Sequence, residues 1–181
     1  MKTTSILVSI ALAATLASPL AARSRAVTDP QAARALETAG PVQVRWEDPA
    51  QFSEIRYSHN RWESRRGNWV QRLAEHLRDR IGEALPPGET LDVVITDIDL
   101  AGDYEPVGME RRDVRVVRDI YPPRMKLSFV RRGADGQVLD QGGRALSELG
   151  FLSLGSGSAQ DPLRFEKRMI DGWVRREFGT P

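Results

Sequence analysis

Carboxylates form the densest group of chemically active side chains in this 181-residue chain. Between Thr96 and Pro106 lies a run of nine positions that holds four acidic residues: Asp97, Asp99, Asp103 and Glu105. Oxygen ligands on a turn suit Ca²⁺ or Mg²⁺. Paired carboxylates whose pKa values are pushed apart suit acid–base catalysis. These four residues are therefore the candidate metal ligands of the chain, and they are also its candidate acid–base groups.

The spacing of the four acids leaves a structural alternative open, and we favour it. A two-residue spacing puts Asp97 and Asp99 on one face at the end of a strand, and Gly102 lets the chain turn back towards them. The run is not an EF-hand loop, because the D-x-D-x-D-G pattern fails at its third acid. Acids at a strand end also accept from loop amides and pair with bases. Five arginines follow in the sequence: Arg111, Arg112, Arg115, Arg118 and Arg124. We therefore expect structural pairing, no metal or other cofactor, and no assigned catalytic residue.

The rest of the chain lacks the common signatures of catalysis. Neither His59 nor His76 belongs to an HExxH or paired-histidine pattern. The chain has no cysteine, which excludes a thiol nucleophile and a Cys-ligated metal. There is no G-x-S-x-G elbow, and the run from Gly155 has Gln160 where a phosphate-binding loop would have its third glycine. The sequence thus predicts no nucleophile, histidine base or cofactor loop.

A second polar segment, Tyr121-Pro-Pro-Arg124, precedes a predicted strand. Tyr121 offers a ring with a polar tip, and the two prolines hold the chain extended. Tyr121 and Arg124 are therefore a candidate recognition surface. The alternative is a rigid entry into the strand, because proline presets the backbone there.

Two long helices are predicted from apolar periodicity. The first runs from Asn68 to Leu85, with an apolar residue at every fourth position. The second has Asp161 as its predicted cap, begins at Pro162 and runs to Phe178. Both helices carry a charged face opposite the apolar one.

The strand pattern completes an α+β domain. Alternation predicts four strands: Val42–Trp46, Thr90–Leu100, Met125–Arg132 and Val138–Leu146. Val114–Val117 is a shorter candidate strand, and Gly136 supplies the positive φ of a hairpin turn. In the second strand, apolar residues fall on both faces, with Ile95 on one side and Ile98 on the other. We predict a mainly antiparallel sheet of four or five strands with two main helices packed on it.

The first 26 residues resemble an export signal rather than a structural element. A short positive start precedes an apolar run from Ile6 to Leu16 and a stretch of small residues, which is the layout of a secretory signal peptide. Cleavage is expected after Ala22, Ser24 or Ala26. We predict residues 27–41 to be a flexible linker and 42–179 to be a single domain.

Charge and hydropathy restrict the partners. The full chain carries a net charge of +1. Cleavage after Ala26 leaves 23 basic and 25 acidic residues, a net charge of −2. Such a balance gives no electrostatic reason to expect nucleic acid. The run Ile6 to Ala22 is 17 residues long and carries Pro19, whereas a membrane-spanning helix needs about 20 apolar residues. We expect no stable membrane anchor in the mature form.

Four segments together resemble a known family. They are Val44-Arg-Trp-Glu-Asp-Pro49, Thr96-Asp-Ile-Asp-Leu-Ala-Gly102, Tyr121-Pro-Pro-Arg124 and Asp161-Pro-Leu-Arg-Phe-Glu-Lys167. In this order they are similar to the bacterial exported proteins grouped as domain of unknown function 3016. The resemblance covers about Val42 to Phe178. It implies an exported envelope protein, and it assigns no catalytic residue.

These observations predict an exported, periplasmic protein. The absence of a nucleophile, histidine base or cofactor loop favours a non-enzymatic binding or accessory protein whose partner is an envelope protein or a small ligand. The alternative is a periplasmic enzyme that uses Asp97, Asp99 and Glu105, with or without a divalent ion.

Overall fold

The computed structural model describes residues 26–105, 113–153 and 160–179. The predicted signal peptide lies outside the described residues, apart from Ala26, and so do residues 154–159 of the predicted glycine-rich loop. The elements are, in chain order, strand β1 (Val42–Trp46), a 3₁₀ turn (Pro49–Gln51), helices α1 (Ser53–Tyr57), α2 (Arg61–Ser64) and α3 (Trp69–Ala84), strands β2 (Thr90–Asp99), β3 (Arg124–Arg132) and β4 (Val138–Ser147), and helix α4 (Arg164–Phe178).

The four strands form one mixed sheet in the order β1-β2-β3-β4. Strand β1 runs parallel to β2, whereas the β2–β3 and β3–β4 pairs are antiparallel. The parallel pair is possible because three helices lie between β1 and β2 in the chain and return it to the starting end of the sheet. The predicted α+β class is confirmed, with α3 and α4 as its two long helices.

The core lies between the sheet and the two long helices. Leu73, Leu77 and Ile81 of α3 are completely buried, as the four-residue spacing predicts. Trp173 of α4 contacts Phe129 of β3 with 6.5 Å between ring centroids. These residues belong to one continuous apolar cluster, so the helices are attached to the sheet mainly by burial of apolar surface.

Strand β2 contains a β-bulge that the sequence pattern does not predict. The pairing with β3 shifts between Ile95 and Asp97, so Thr96 is the extra residue. Ile98 therefore lies in the same buried cluster as Ile95, not on the opposite face as expected. The bulge also turns Asp97 and Asp99 away from this cluster. Neither acid is fully buried.

Residues 27–41, predicted as a flexible linker, make specific contacts with the domain. The amide of Leu36 donates to the carbonyl of Val44 at 2.9 Å, and the amide of Trp46 donates to the carbonyl of Arg34 at 2.9 Å. Val27 and Leu36 are partly buried against the core. Residues 34–36 therefore lie along the free edge of β1, which the sequence does not predict.

Two local predictions have different outcomes. The hairpin turn is present, and Gly136 has a φ of +80°. The short strand expected at Val114–Val117 is wrong: only Val116 pairs, in an isolated bridge with Asp103. Within the three described ranges, no helix is long and apolar enough to cross a membrane.

Candidate functional site

Most of the candidate residues meet at one corner of the sheet, where β2 ends and β3 begins. A cavity of about 170 Å³ lies on one side of this corner, lined by Asp99, Asp103, Tyr121 and Arg124 among others. A second cavity of about 450 Å³ includes Asp97 in its lining. Tyr57, Asp99 and Arg124 line both cavities. We call these three residues the Asp99 corner.

Asp97 caps a helix that is distant in sequence. Its Oδ1 accepts from the Ser53 amide at 2.6 Å, and its Oδ2 accepts from the Ser53 hydroxyl at 2.8 Å. Helix α1 begins at Ser53, and Phe52 at the cap position has no side chain that can accept from the first amides. Asp97 supplies that acceptor from β2. Lys126 Nζ lies 3.5 Å from its Oδ2.

The Asp99 carboxylate has weaker polar contacts than the Asp97 carboxylate. Its ion pair with Arg124 has a nitrogen–oxygen distance of 3.5 Å, and Arg124 keeps 57% of its side chain exposed. Partial burial raises the pKa of Asp99, and the charges of Asp97 and Asp103 raise it further, while Arg124 and Arg115 oppose them. Asp99 can therefore accept another hydrogen bond from a ligand.

The environment of Asp103 shifts its pKa in the opposite direction to that of Asp99. Burial raises its pKa, but hydrogen bonds from His59 and from the Tyr104 amide lower it by more, so the net shift is downward. His59 Nδ1 lies 2.5 Å from Oδ2, and the Tyr104 amide donates to Oδ1 at 2.7 Å. Gly102 precedes it with a φ of +81°, and a Cβ there would lie 2.6 Å from the Val116 carbonyl oxygen. Only glycine fits this turn.

Glu105 contacts the predicted recognition segment. The Tyr121 hydroxyl donates to Glu105 Oε1 at 3.0 Å, and Arg118 lies 2.8 Å from Oε2. The bond to Glu105 raises the pKa of Tyr121. Tyr121 is thus joined to one candidate acid, and Arg124 to another. The acid cluster and the recognition segment form one site.

Each of the four predicted acids therefore has a basic or amide partner. Among the residues that the structure describes, no group of three or more His, Cys, Asp or Glu side chains could hold a metal ion. The geometry of the corner suits hydrogen bonding to a ligand better than coordination of a cation, because the acids face separate partners.

A buried charged cluster lies beneath this corner, and Arg115 is its only member that the sequence analysis names. It consists of Glu54, Arg115 and Glu166; the two acids are 3% and 2% exposed. Arg115 forms an ion pair with Glu54 Oε1, and its Nη1 donates to the Gly102 carbonyl at 2.7 Å. The Leu100 amide donates to Glu54 Oε2 at 3.1 Å. These bonds fix the loop that carries Asp103.

Glu166 holds the same loop from α4. Its Oε1 accepts from the Ala101 amide at 2.7 Å, and its Oε2 has no hydrogen-bond partner within the described part of the chain. Burial raises the pKa of both Glu54 and Glu166. A sequence signal for Glu166 does exist: it lies at helical spacing from Leu163, Ile170 and Trp173, on the apolar face of α4.

The fold and the corner together define an α+β domain that presents a partly satisfied carboxylate and an exposed arginine beside two cavities. Residues 40–176 match the family described as "Protein of unknown function (DUF3016)". The chain belongs to this family, and the resemblance noted in its sequence is confirmed. No curated protein and no solved structure matches the chain.

Proposed function

We propose that the protein is an exported, non-enzymatic binding protein of the bacterial cell envelope, and that the Asp99 corner receives its ligand. The observation that carries this proposal is the position of Asp99 and Arg124. Both line two adjoining cavities, and their mutual ion pair is long at 3.5 Å. A weak pair at the mouth of a cavity leaves both partners free to bond to a third group.

The corner defines the chemistry of the ligand. Asp99 accepts hydrogen bonds, Arg124 donates them, and Tyr57 adds an aromatic surface that is 69% exposed for the whole residue. A matching group carries a donor and an acceptor close together beside an apolar face. Such a group occurs on a polar small molecule, and also on a side chain of an envelope protein.

The competing function is a carboxylate-based enzyme, and one observation favours it. Asp99 and Asp103 line the same cavity, and their environments shift their pKa values in opposite directions. This separation is what an acid–base pair needs. Asp103, however, is already bound by His59 and by two backbone amides. Binding is therefore the better supported function.

Capture from envelope extracts tests the binding site. The immobilised protein is compared with Asp99→Asn and Arg124→Gln, which change the corner, and with Arg175→Gln, an exposed residue of α4 that matches the charge change of Arg124→Gln. We expect a species that the wild type and Arg175→Gln retain and that both corner variants lose. Equal capture by all four proteins, or no capture, would contradict the proposal.

Export has its own test. Expression in a bacterial host, followed by N-terminal sequencing of the periplasmic fraction, should give a chain that begins at Arg23, Arg25 or Val27. A full-length product that stays with the membrane fraction would contradict export. That result would leave the binding test intact, because the corner lies outside the signal segment.

A further inference from the structure

A separate cavity carries three arginines and no acid. It has a volume of about 340 Å³, and its charged lining residues are Arg56, Arg61 and Arg65. The other lining residues are Ala50, Ile55 and Tyr57. A concave surface with a single sign of charge concentrates counter-ions of the opposite sign.

The three arginines have no carboxylate partner within the described ranges. Elsewhere, by contrast, Arg72 pairs with Asp161 and Arg131 pairs with Glu89. One hydrogen bond joins two of them: Arg61 Nη2 donates to the Arg56 carbonyl at 2.9 Å. All three residues are exposed. Their guanidinium groups are therefore available to an anion.

Local structure holds these arginines together. Arg56 lies in the last turn of α1, Arg61 begins α2, and Arg65 follows α2 directly. The Asn60 side chain accepts from the Glu63 amide at 3.2 Å and so caps α2. The Arg65 carbonyl accepts from the Val27 amide at 2.8 Å. The backbone of the site is thus fixed before any ligand binds.

Two exposed aromatic residues directly follow two of these arginines in the chain: Tyr57 follows Arg56, and Trp62 follows Arg61. Tyr57 is 69% and Trp62 is 67% exposed. The Arg56 guanidinium lies 5.3 Å from the centroid of the Tyr57 ring, and the Arg66 guanidinium lies 4.8 Å from that of Trp62. Arginine suits phosphate oxygens, whereas tyrosine and tryptophan concentrate where lipid headgroups meet acyl chains.

We infer that the cavity lined by Arg56, Arg61 and Arg65 binds the phosphate group of an anionic lipid headgroup, while Tyr57 and Trp62 contact the lipid surface. The site is separate from the Asp99 corner in all its residues except Tyr57, which lines both. It would hold the protein reversibly at a membrane surface through charge and aromatic contact.

Nucleic acid fits this surface less well. A guanidinium already lies against each exposed ring, which leaves less of the ring for base stacking. The net charge of the full chain is only +1, so the chain as a whole has little electrostatic attraction for a polyanion. A lipid headgroup needs only one phosphate in one cavity.

Vesicle flotation tests the inference. The full chain is mixed with vesicles of phosphatidylglycerol in phosphatidylcholine, and with phosphatidylcholine alone. The apolar N-terminal run can itself bind lipid, so the decisive comparison is between variants of the same chain. The site variant is Arg56→Gln/Arg61→Gln/Arg65→Gln. The control, Arg45→Gln/Arg175→Gln/Arg176→Gln, removes the same charge from exposed positions elsewhere.

We expect selective binding to the anionic vesicles. Each arginine at a membrane surface contributes about fivefold to partitioning, so the site variant should lose about a hundredfold. The control should lose less than about twofold, and Trp62→Ala should lose several-fold. Equal losses in the site variant and the control, or equal binding to both kinds of vesicle, would overturn the inference.

Two further arms identify the source of the phosphate. Inorganic phosphate and a short single-stranded DNA are titrated against the wild type by calorimetry. Binding of either one more tightly than the anionic vesicles would assign the site to free phosphate or to nucleic acid and overturn the lipid assignment. Weak binding of both, abolished in the site variant, would support it. Circular dichroism confirms that each variant is folded.

Discussion

Ser53 and Asp97 lie 44 positions apart in the chain, yet both the amide and the hydroxyl of Ser53 donate to the Asp97 carboxylate, at 2.6 and 2.8 Å. This pair attaches the start of α1 to the end of β2. Since α1 carries Tyr57 and β2 carries Asp99, the same pair positions two of the three residues of the Asp99 corner.

Replacement of Asp97 should therefore destabilise the domain. In Asp97→Ala, two donors of Ser53 lose their acceptor, which costs about 1–3 kcal/mol and lowers the melting temperature by several degrees. Asp97→Asn keeps one acceptor oxygen and should lose less. Thermal melts with chelator, Ca²⁺ and Mg²⁺ check this, with exposed Asp113→Ala as control. An unchanged melt of Asp97→Ala, together with a metal-dependent rise in the wild type, would indicate a metal site instead.

Asp99→Asn should have the opposite effect on stability. The folded state raises the pKa of Asp99, so the stability that this group contributes is complete below its unfolded pKa and is lost as the pH rises through the folded pKa. An uncharged asparagine avoids that loss. We expect the variant to melt above the wild type at about pH 7, with the difference shrinking towards about pH 3. Melting curves across this range check the sign.

The same substitution also tests function. If Asp99 were only structural, its replacement would not raise stability and abolish ligand capture at the same time. A gain in stability with a loss of binding is typical of a residue kept for function. A melting temperature below that of the wild type at every pH would refute this assignment.

Removing only one partner of the Glu54–Arg115 ion pair should strongly lower the free energy of unfolding. Glu54→Leu leaves the Arg115 charge largely buried without its partner, since the Arg115 side chain is 20% exposed. Removing one partner of a buried ion pair typically costs about 3–5 kcal/mol. Glu54→Leu/Arg115→Met removes both charges and should be less destabilised than the sum of the two single variants. Urea unfolding of the four proteins measures the coupling. Additive effects would show that the pair is not coupled.

His59 should control the pKa of Asp103. Burial raises that pKa, but the hydrogen bond from His59 and those from the backbone amides lower it overall. A lowered pKa contributes stability above the unfolded pKa, and this contribution is lost as the pH falls through the folded pKa. His59→Ala should therefore raise the Asp103 pKa and begin acid unfolding at a higher pH.

An NMR titration of the Asp103 carboxyl carbon measures this shift directly. His76→Ala is the matched control, because His76 lies on α3 and pairs with Asp171 at 2.8 Å rather than with Asp103. The control should leave the Asp103 titration unchanged. The same Asp103 pKa in the wild type and His59→Ala would show that the backbone amides alone lower it.

The local elements follow from the sequence because short-range periodicity specifies them. The four-residue spacing of Trp69, Leu73, Leu77 and Ile81 predicts α3, which the structure places at Trp69–Ala84. The grouping of four acids around Gly102 likewise predicts where polar chemistry is concentrated, and the order of four segments indicates the family. Each of these signals lies between residues that are near one another in the chain.

Tertiary structure alone decides which groups meet. The bulge at Thr96 depends on the pairing of β2 with β3, and it moves Ile98 into the core while Asp97 turns towards Ser53. Arg115 reaches Glu54 across 61 positions, and Glu166 reaches Ala101 across 65. No spacing rule predicts these contacts, because a long-range pair depends on the registers of several strands and helices at once. The sequence therefore determines the elements and the candidate acids. Packing decides that Asp97 caps a helix and that Asp99 stays available to a ligand. Packing also buries two acids outside the candidate group, Glu54 and Glu166.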